Sequence, residues 1–375
     1  MTGSYCAEAI IVGAGPAGLG VALGLARSGI DVVVLDQQEE LGSIRRGETI
    51  RFDKDMDAVL GNGFFEKQVI KKICKRTYFS HSELNQVNRV ISNPNNIINW
   101  QDFIVSMAEI VASAGVRIWT GATVSSFLKD VDTVSGVKAM VRGFTQEDLR
   151  AKAVFSCGGC DDPASRYIGI DRSTIDLPVY KRIIQGYRGP ADRLEYYFYL
   201  GGGGLTIGTI FPRAGTEAEI ILLNAIRGNE QRLSFYEFSK AHPLFGERIA
   251  GGNSSYSLRT RIPMGGMLPD ICPVPGLVMA GDALGHVQAR GGSGIKTSFM
   301  IGYTAGELGA RAIRSGTWSK EVSERFAKEM NSSSHMRSLK KHNFIYSKLR
   351  MHIFSRIKTP EDMDRYWPYL KMVLR

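Results

Sequence analysis

Acidic residues are in short supply in this chain. Its 47 Lys and Arg outnumber 37 Asp and Glu, giving a formal net charge of +10 over 375 residues. Cysteine is scarce as well, with only Cys6, Cys74, Cys157, Cys160 and Cys272. An odd handful of thiols does not build a secreted disulfide framework and fits a reducing, cytoplasmic setting. A single Cys-x-x-Cys, Cys157 to Cys160, supplies half of a four-cysteine zinc site, so no metal is expected. No apolar run approaches the ~20 residues that cross a bilayer. No basic segment precedes the first apolar stretch, which argues against a signal peptide. Internal repeats and low-complexity linkers are missing. The positive charge comes without any nucleic-acid recognition motif, so no nucleic acid is expected as a partner.

What is present is a globular composition, 43% hydrophobic. The length suits two closely joined domains or one large one. Within it, Ala9–Asp36 reads as strand, glycine turn, helix and second strand. The turn is Gly13-Ala14-Gly15-Pro16-Ala17-Gly18. Gly13 permits the tight turn, Gly15 lets the backbone approach a pyrophosphate, and Gly18 allows close helix–strand packing. The helix N-terminus that follows, with Pro16 and Ala17, offers free N–H groups to phosphates. Asp36 ends the second strand, where a carboxylate can take ribose hydroxyls.

Further along, residues 41–98 read as an insertion with helices and a polar stretch around Asn85–Asn96. Trp100–Gly115 has the apolar spacing of an amphipathic helix, and Ala122–Phe127, Gly136–Val141 and Ala153–Ser156 read as strands. From Val179 to Arg227 the pattern becomes short strands between glycine or charged turns, including the four-glycine turn Gly201–Gly204. That pattern predicts a separate antiparallel sheet. A helical stretch, roughly Glu230–Ile249 and interrupted at Pro243, follows. Leu277–Ala280 then runs into Gly281-Asp282-Ala283, and Gly291-Gly292-Ser293-Gly294-Ile295 opens a long helix. Asp282 can reach a ribityl or ribose hydroxyl. The glycine loop and helix start, Gly291, Gly292, Gly294 and Ile295, can donate N–H groups to a flavin carbonyl. The predicted organisation is a discontinuous nucleotide-binding domain (1–170 and 266–330), an inserted sheet domain (171–265) and a basic helical tail (331–375). That tail carries ten Lys and Arg against three Asp and Glu. It reads either as a cap with a solvated basic face, or as a peripheral contact with an anionic membrane or a redox partner.

These motifs together resemble the FAD-dependent family typified by p-hydroxybenzoate hydroxylase, and within it the geranylgeranyl reductase branch. GAGPAGLG with Asp36, the loop Gly42–Glu48 and the stretch AGDALGHVQARGGSGIKTSFMIGYTAGELGA (residues 280–310) carry the likeness. The resemblance implies an α/β fold with a Rossmann-type, glutathione reductase-like FAD domain and an inserted antiparallel substrate domain. It implies FAD as cofactor, with NAD(P)H a candidate donor, and hydride transfer from flavin N5 to a double bond of an apolar isoprenoid. The alternative is a monooxygenase that hydroxylates an aromatic substrate with NAD(P)H and oxygen. The chain departs from the branch in places. Arg46 stands where the branch has a cysteine, and the aromatic pocket strand reads Ile207-Gly208-Thr209-Ile210-Phe211-Pro212.

Single residues add expectations. Arg45 and Arg46 suit a pyrophosphate, the isoalloxazine edge or an anionic substrate group, unless they pair with Glu39 or Glu40. Glu48 reads as a ligand or a loop brace rather than a base. His286, beside the expected ring, and Arg46 are the candidate catalytic residues. Cys157 and Cys160 read either as a redox pair or as small residues tolerated in a glycine loop. Tyr197, Thr209 and Phe211 are candidate substrate contacts.

Overall fold

The computed structural model describes residues 7–143, 145–201, 204–224, 234–289, 291–354 and 356–373. Cys6, Ala225, Arg290 and the middle of the four-glycine turn, Gly202 and Gly203, lie outside the described residues. The first half of the chain runs β1 (Ala9–Val12), α1 (Pro16–Arg27), β2 (Val32–Leu35), β3 (Thr49–Arg51), α2 (Lys54–Leu60) and α3 (Phe64–Gln68). The hairpin β4 (Val69–Phe79) and β5 (Gln86–Ile98) follows, then α4 (Trp100–Ser113) and β6 (Arg117–Trp119). A meander of β7 (Ala122–Asp130), β8 (Thr133–Val141) and β9 (Thr145–Arg150) leads to β10 (Ala153–Ser156) and α5 (Pro163–Tyr167). The second half runs β11 (Leu177–Gln185), β12 (Arg193–Gly201), β13 (Gly204–Pro212), β14 (Glu217–Asn224), α6 (Phe235–Ala241), α7 (Pro243–Ile249) and β15 (Asn253–Ile262). It closes with β16 (Leu277–Met279), α8 (Ile295–Arg314), α9 (Lys320–Ser332), α10 (Ser334–Phe354) and α11 (Pro360–Val373).

β16, β10, β1, β2 and β6 form one five-stranded sheet whose paired strands are parallel. β1, β2, β10 and β16 are wholly buried, as continuous Val/Ile/Leu runs require of a sheet covered on both faces. α1 and α8 lie against each other through glycines. A Cβ on Gly20, Gly24, Gly302 or Gly306 would collide with backbone of the opposite helix. This close approach brings the two cofactor segments, far apart in sequence, to one place. A Cβ on Gly281 would meet the Ala17 methyl at 2.6 Å.

The second sheet has eight strands, in the order β15-β11-β14-β13-β12-β4-β5-β3. It takes β3, β4 and β5 from residues 49–98, so the second half of the stretch read as a helical insertion is a long hairpin. The polar residues of that stretch are strand residues. β15, with its polar composition, was not anticipated at all.

The alternation of side chains gives this sheet two unlike faces. Its outer face packs Phe79, Tyr197, Ile220 and Leu222 under α6 and α7 into a closed core. Its inner face turns to the nucleotide domain. There Glu48, in the loop after β2, meets Arg213 and Lys181, and Arg46 meets Thr260.

The basic tail packs as a cap. α10 buries Met336 and Leu339 in the main core. α11 lays Met363 and Trp367 against Phe198 and Leu200 of the sheet.

Candidate active site

α1 starts at Gly15 with no capping side chain and no acid in its first turn, and Pro16 stands at its start. Its first N–H groups are therefore unclaimed. A Cβ on Gly15 would touch nothing within 4 Å, so the space above the turn is open, whereas one on Gly18 would run into the Gly13 carbonyl. Gly13 has φ +96° and lies against the Cys157 carbonyl, where a Cβ would stand only 2.7 Å away. These are the three separate duties expected of the three glycines.

α8 opens the same way, with Gly294 as an uncapped start and no acid in the first turn. Gly291 and Gly292 have φ +80° and +70°, and Gly291 faces open space. Asp282 lies within 3.5 Å of where a Cβ on Gly294 would stand. Burial holds the Asp282 carboxyl above the usual carboxylate range, Arg46 opposes that shift, and Asp176 adds to it. Two unclaimed helix starts and an acid between them fit a dinucleotide with a flavin. FAD would be held by Gly13, Gly15, Pro16, Ala17 and Gly18 at one end and by Asp282, Gly291, Gly292, Gly294 and Ile295 at the other.

Asp36 departs from the simple expectation. One oxygen accepts the Ala14 N–H at 2.6 Å and the other accepts the Gln38 N–H at 2.8 Å. The carboxylate thus braces the glycine turn, which leaves only its remaining lone pairs for a ribose hydroxyl.

Arg45 does not pair with Glu39 or Glu40. It donates to Glu48 at 2.6 Å and stacks over Tyr256 with its guanidinium carbon 5.6 Å from the ring centre. Glu48 is buried and also receives Arg213, so it is the loop brace anticipated. Arg46 donates to Thr260 at 2.5 Å and acts electrostatically on both Asp282 and Cys160.

The proton-donor role expected of His286 is not what its surroundings support. It is fully buried, its Nδ1 accepts the Gly281 N–H at 3.1 Å, and Nε2 has no hydrogen-bond partner among the described residues. Burial pushes the imidazole down to about 3. A ring accepting at Nδ1 carries its hydrogen on Nε2 and stays neutral, so His286 braces the Gly281–Ala283 turn from behind.

Cys157 and Cys160 are both free and buried. Burial raises both thiols, well above the ordinary value for Cys157. The Cys160 thiol donates to the Arg261 carbonyl at 3.3 Å. Asp162, accepting from Ser156, Gly158 and Ala164 at 2.6–2.8 Å, holds this loop. Thiols kept protonated by burial are poor nucleophiles, which favours the reading of Cys157 and Cys160 as residues tolerated in a glycine loop.

Of the three candidate substrate contacts, Thr209 and Phe211 lie on the inner face. Tyr197 lies on the outer face, stacked on Phe79 at 4.6 Å and donating to Glu195 at 2.9 Å. Tyr196 is the inner-face tyrosine. It sits opposite Thr209 and edge-on to Phe211 at 5.7 Å. The inner face carries part-exposed Leu258, Val179, Leu223, Ile207, Phe211 and Tyr196 on five adjacent strands, an apolar strip that starts beside Thr260 and whose far end packs against the clusters of Trp367 and Leu194. Sequence reasoning missed β15 and therefore Tyr256, Leu258 and Thr260. Their alternation with Ser255, Ser257 and Arg259 was the available signal.

Residues 6–185 match the FAD binding domain family. Over 347 residues the chain is 25% identical to digeranylgeranylglycerophospholipid reductase 1 of Methanococcoides burtonii, covering 87% of this chain and 80% of that one. The digeranylgeranylglycerophospholipid reductase of Picrophilus torridus is 24% identical, over 88% of this chain and 85% of its own. These matches bear out the resemblance to the FAD-dependent oxidoreductases of the geranylgeranyl reductase group. Two solved structures share the fold of this flavoprotein. A geranylgeranyl bacteriochlorophyll reductase-like protein from Thermoplasma acidophilum superposes with TM-score 0.81 at 17% identity, covering 97% of this chain and 91% of that one. An aromatic hydroxylase from angucycline biosynthesis superposes at 0.65 and 17%, covering 98% and 73%. Among the described residues, no helix is long and apolar enough to cross a membrane.

Proposed function

We propose that this flavoprotein reduces carbon–carbon double bonds of an apolar, isoprenoid-type substrate. The observation that carries the reading is the strip of part-exposed Leu258, Val179, Leu223, Ile207, Phe211 and Tyr196, which begins beside the residues that would hold the flavin. The isoprenoid lipids named for the curated relatives agree with it. Bound FAD, reduced by an external donor for which NAD(P)H is the candidate, would supply a hydride from N5. Thr260 and Arg46 mark the end of the strip where the reacting carbon would lie. The apolar side chains beyond them would exclude water and hold the chain extended. The nucleotide domain, without the strands β3–β5 that join the large sheet, would support this arrangement from below, and the loop Arg45–Glu48 would close its edge.

The tail adds a surface. On α10 the exposed Arg337, Lys341, Phe344, Ile345 and Lys348 follow helical spacing on one side. This stripe suits peripheral contact with an anionic bilayer, which would also present a lipid substrate. Co-sedimentation with anionic vesicles at low salt, lost as salt rises, tests it. Binding to an acidic redox partner but not to vesicles would oppose it.

The catalytic reading is tested by reducing the loaded protein chemically without oxygen and adding a geranylgeranyl lipid. Flavin reoxidation supports it. No reoxidation, followed by rapid reaction with oxygen and hydroxylation of an added aromatic, would replace it with the monooxygenase reading.

A further inference from the structure

α10 carries a polar side chain where its buried face continues. Met336 and Leu339 enter the main core, and Asn343 stands one turn beyond Leu339 on the same side. Asparagine is a poor helix former, and a half-buried amide needs partners for its donors and its acceptor. Asn343 finds them in the loop between β16 and α8, 54 and 56 positions away in sequence. Its Oδ1 accepts the Ala289 N–H at 2.8 Å, and its Nδ2 donates to the Val287 carbonyl at 2.8 Å. The two bonds grip the backbone on either side of Gln288.

That backbone leads into the glycine loop. The Gln288 N–H donates to the Ser293 carbonyl at 3.0 Å, and the Gly292 N–H to the Gln288 carbonyl at 3.1 Å. The buried Val287 side chain stands 3.6 Å from where a Cβ on Gly294 would lie. Gly291 and Gly292, both at positive φ, and Gly294 are among the residues that would hold FAD. Glycine loses more conformational freedom than any other residue when it is fixed. Holding the loop in shape before the cofactor arrives removes that cost from binding.

The same part of α10 faces outward with charge and apolar surface. From Lys340 to Lys348 no side chain is buried, so this half of the helix is lightly held by packing. Phe344 is 61% exposed and Ile345 48%, directly after Asn343, with Lys341 and Lys348 exposed beside them. An anionic bilayer that takes up the two apolar side chains and attracts the lysines needs α10 ordered. The Asn343 bonds to the loop need the same. Two contacts that require one ordered element reinforce each other.

We propose that Asn343 is a positioning residue for the FAD loop, and that through it contact of α10 with an anionic bilayer tightens the cofactor. The inference rests on the reading of the tail as a membrane surface. It adds a consequence at the flavin: FAD is held more firmly where a lipid substrate is presented.

FAD release from the loaded full chain is followed by the recovery of flavin fluorescence on dilution, alone and with phosphatidylglycerol-containing vesicles. Co-sedimentation is measured in parallel. Vesicles should slow release severalfold, and salt should abolish the effect. Asn343→Ala should release FAD about tenfold faster, with the urea midpoint of the FAD-free chain unchanged. It should bind vesicles as before without any slowing of release. Asn343→Gln, the same amide on a longer arm, should restore part of the hold. Phe344→Ser with Ile345→Ser should leave release in buffer unchanged and remove the vesicle effect, which covers a failure of the Asn343 variants to fold. Unchanged release from Asn343→Ala would overturn the inference. So would faster release matched by a lower urea midpoint, which marks the residue as structural. Vesicles that bind without slowing release would overturn it while the membrane surface stands. No vesicle binding would remove the surface and the inference together.

Discussion

Arg46 donates to Thr260 at 2.5 Å across 214 positions of sequence. The bond joins the loop that follows β2 to β15, an edge strand of the large sheet, and so ties the nucleotide domain to the inner face of that sheet. Arg45 does the same one residue earlier, its backbone N–H donating to the Tyr256 hydroxyl oxygen at 3.0 Å. The permanent cation where the related branch has a cysteine is therefore a clasp as well as a charge beside Asp282.

Gly15 and Gly18 should separate cofactor binding from folding. Gly15 has φ −75°, a conformation alanine adopts, and open space around it. Gly15→Ala should leave apo-protein stability within about 0.5 kcal/mol but weaken FAD at least about tenfold, because the methyl occupies the phosphate's approach. Gly18→Ala meets the Gly13 backbone and should cost roughly 3 kcal/mol or more of stability. Urea unfolding and flavin titration of both variants check the pair.

Tyr196 and Tyr197 should behave as residues of different layers. Tyr197→Phe removes a buried hydroxyl bonded to Glu195 and should cost about 1–2 kcal/mol of stability with KM unchanged. Tyr196→Ala shortens the apolar strip and should raise KM for a prenyl substrate severalfold, with a smaller effect on kcat. Steady-state kinetics beside denaturant unfolding distinguishes the two.

This pair also shows what sequence could deliver. The strand Arg193–Gly201 was legible, and so was the rule that alternate tyrosines share a side. Which side meets the flavin was not, because it depends on Glu48 and Arg46 reaching the sheet from far away in sequence. The hairpin β4–β5 was hidden for a local reason. Pro94 argues against a strand, yet it falls at the register shift between Ile73 and Lys75, where β5 skips from Asn95 to Val90 and no ladder bond is needed. By contrast Ala9–Asp36 and the helix from Ile295 were readable outright, since their glycines answer to close backbone approach within short segments.

Cys157 and Cys160 should be inert. Burial keeps both as thiols, so Cys157→Ser with Cys160→Ser should leave flavin reduction by any competent donor within about twofold. Native protein should resist iodoacetamide at both positions. A tenfold slower reduction in the double variant would restore the redox pair.

His286 should register in stability rather than as a catalytic proton donor. Its ordinary value of 6.5 falls to about 3 in the folded chain. The depressed basicity means that its stabilising contribution is complete above 6.5. Below that the unfolded chain takes up a proton that the native chain refuses, so stability declines by up to roughly 1.4 kcal/mol per pH unit toward pH 3. His286→Gln should flatten that slope in urea melts between pH 4 and 6.5, the pH range set by the same shift. A His286→Gln protein with the unchanged slope would place the titration elsewhere.

The most direct test is a single turnover of the chemically reduced, FAD-loaded protein with a geranylgeranyl lipid in the absence of oxygen. Flavin absorbance and product mass are followed together. The expected result is one double bond saturated, with two hydrogens gained, for each flavin reoxidised. A flavin that stays reduced beside unchanged lipid, and then turns over with oxygen to hydroxylate an aromatic ring, would contradict it.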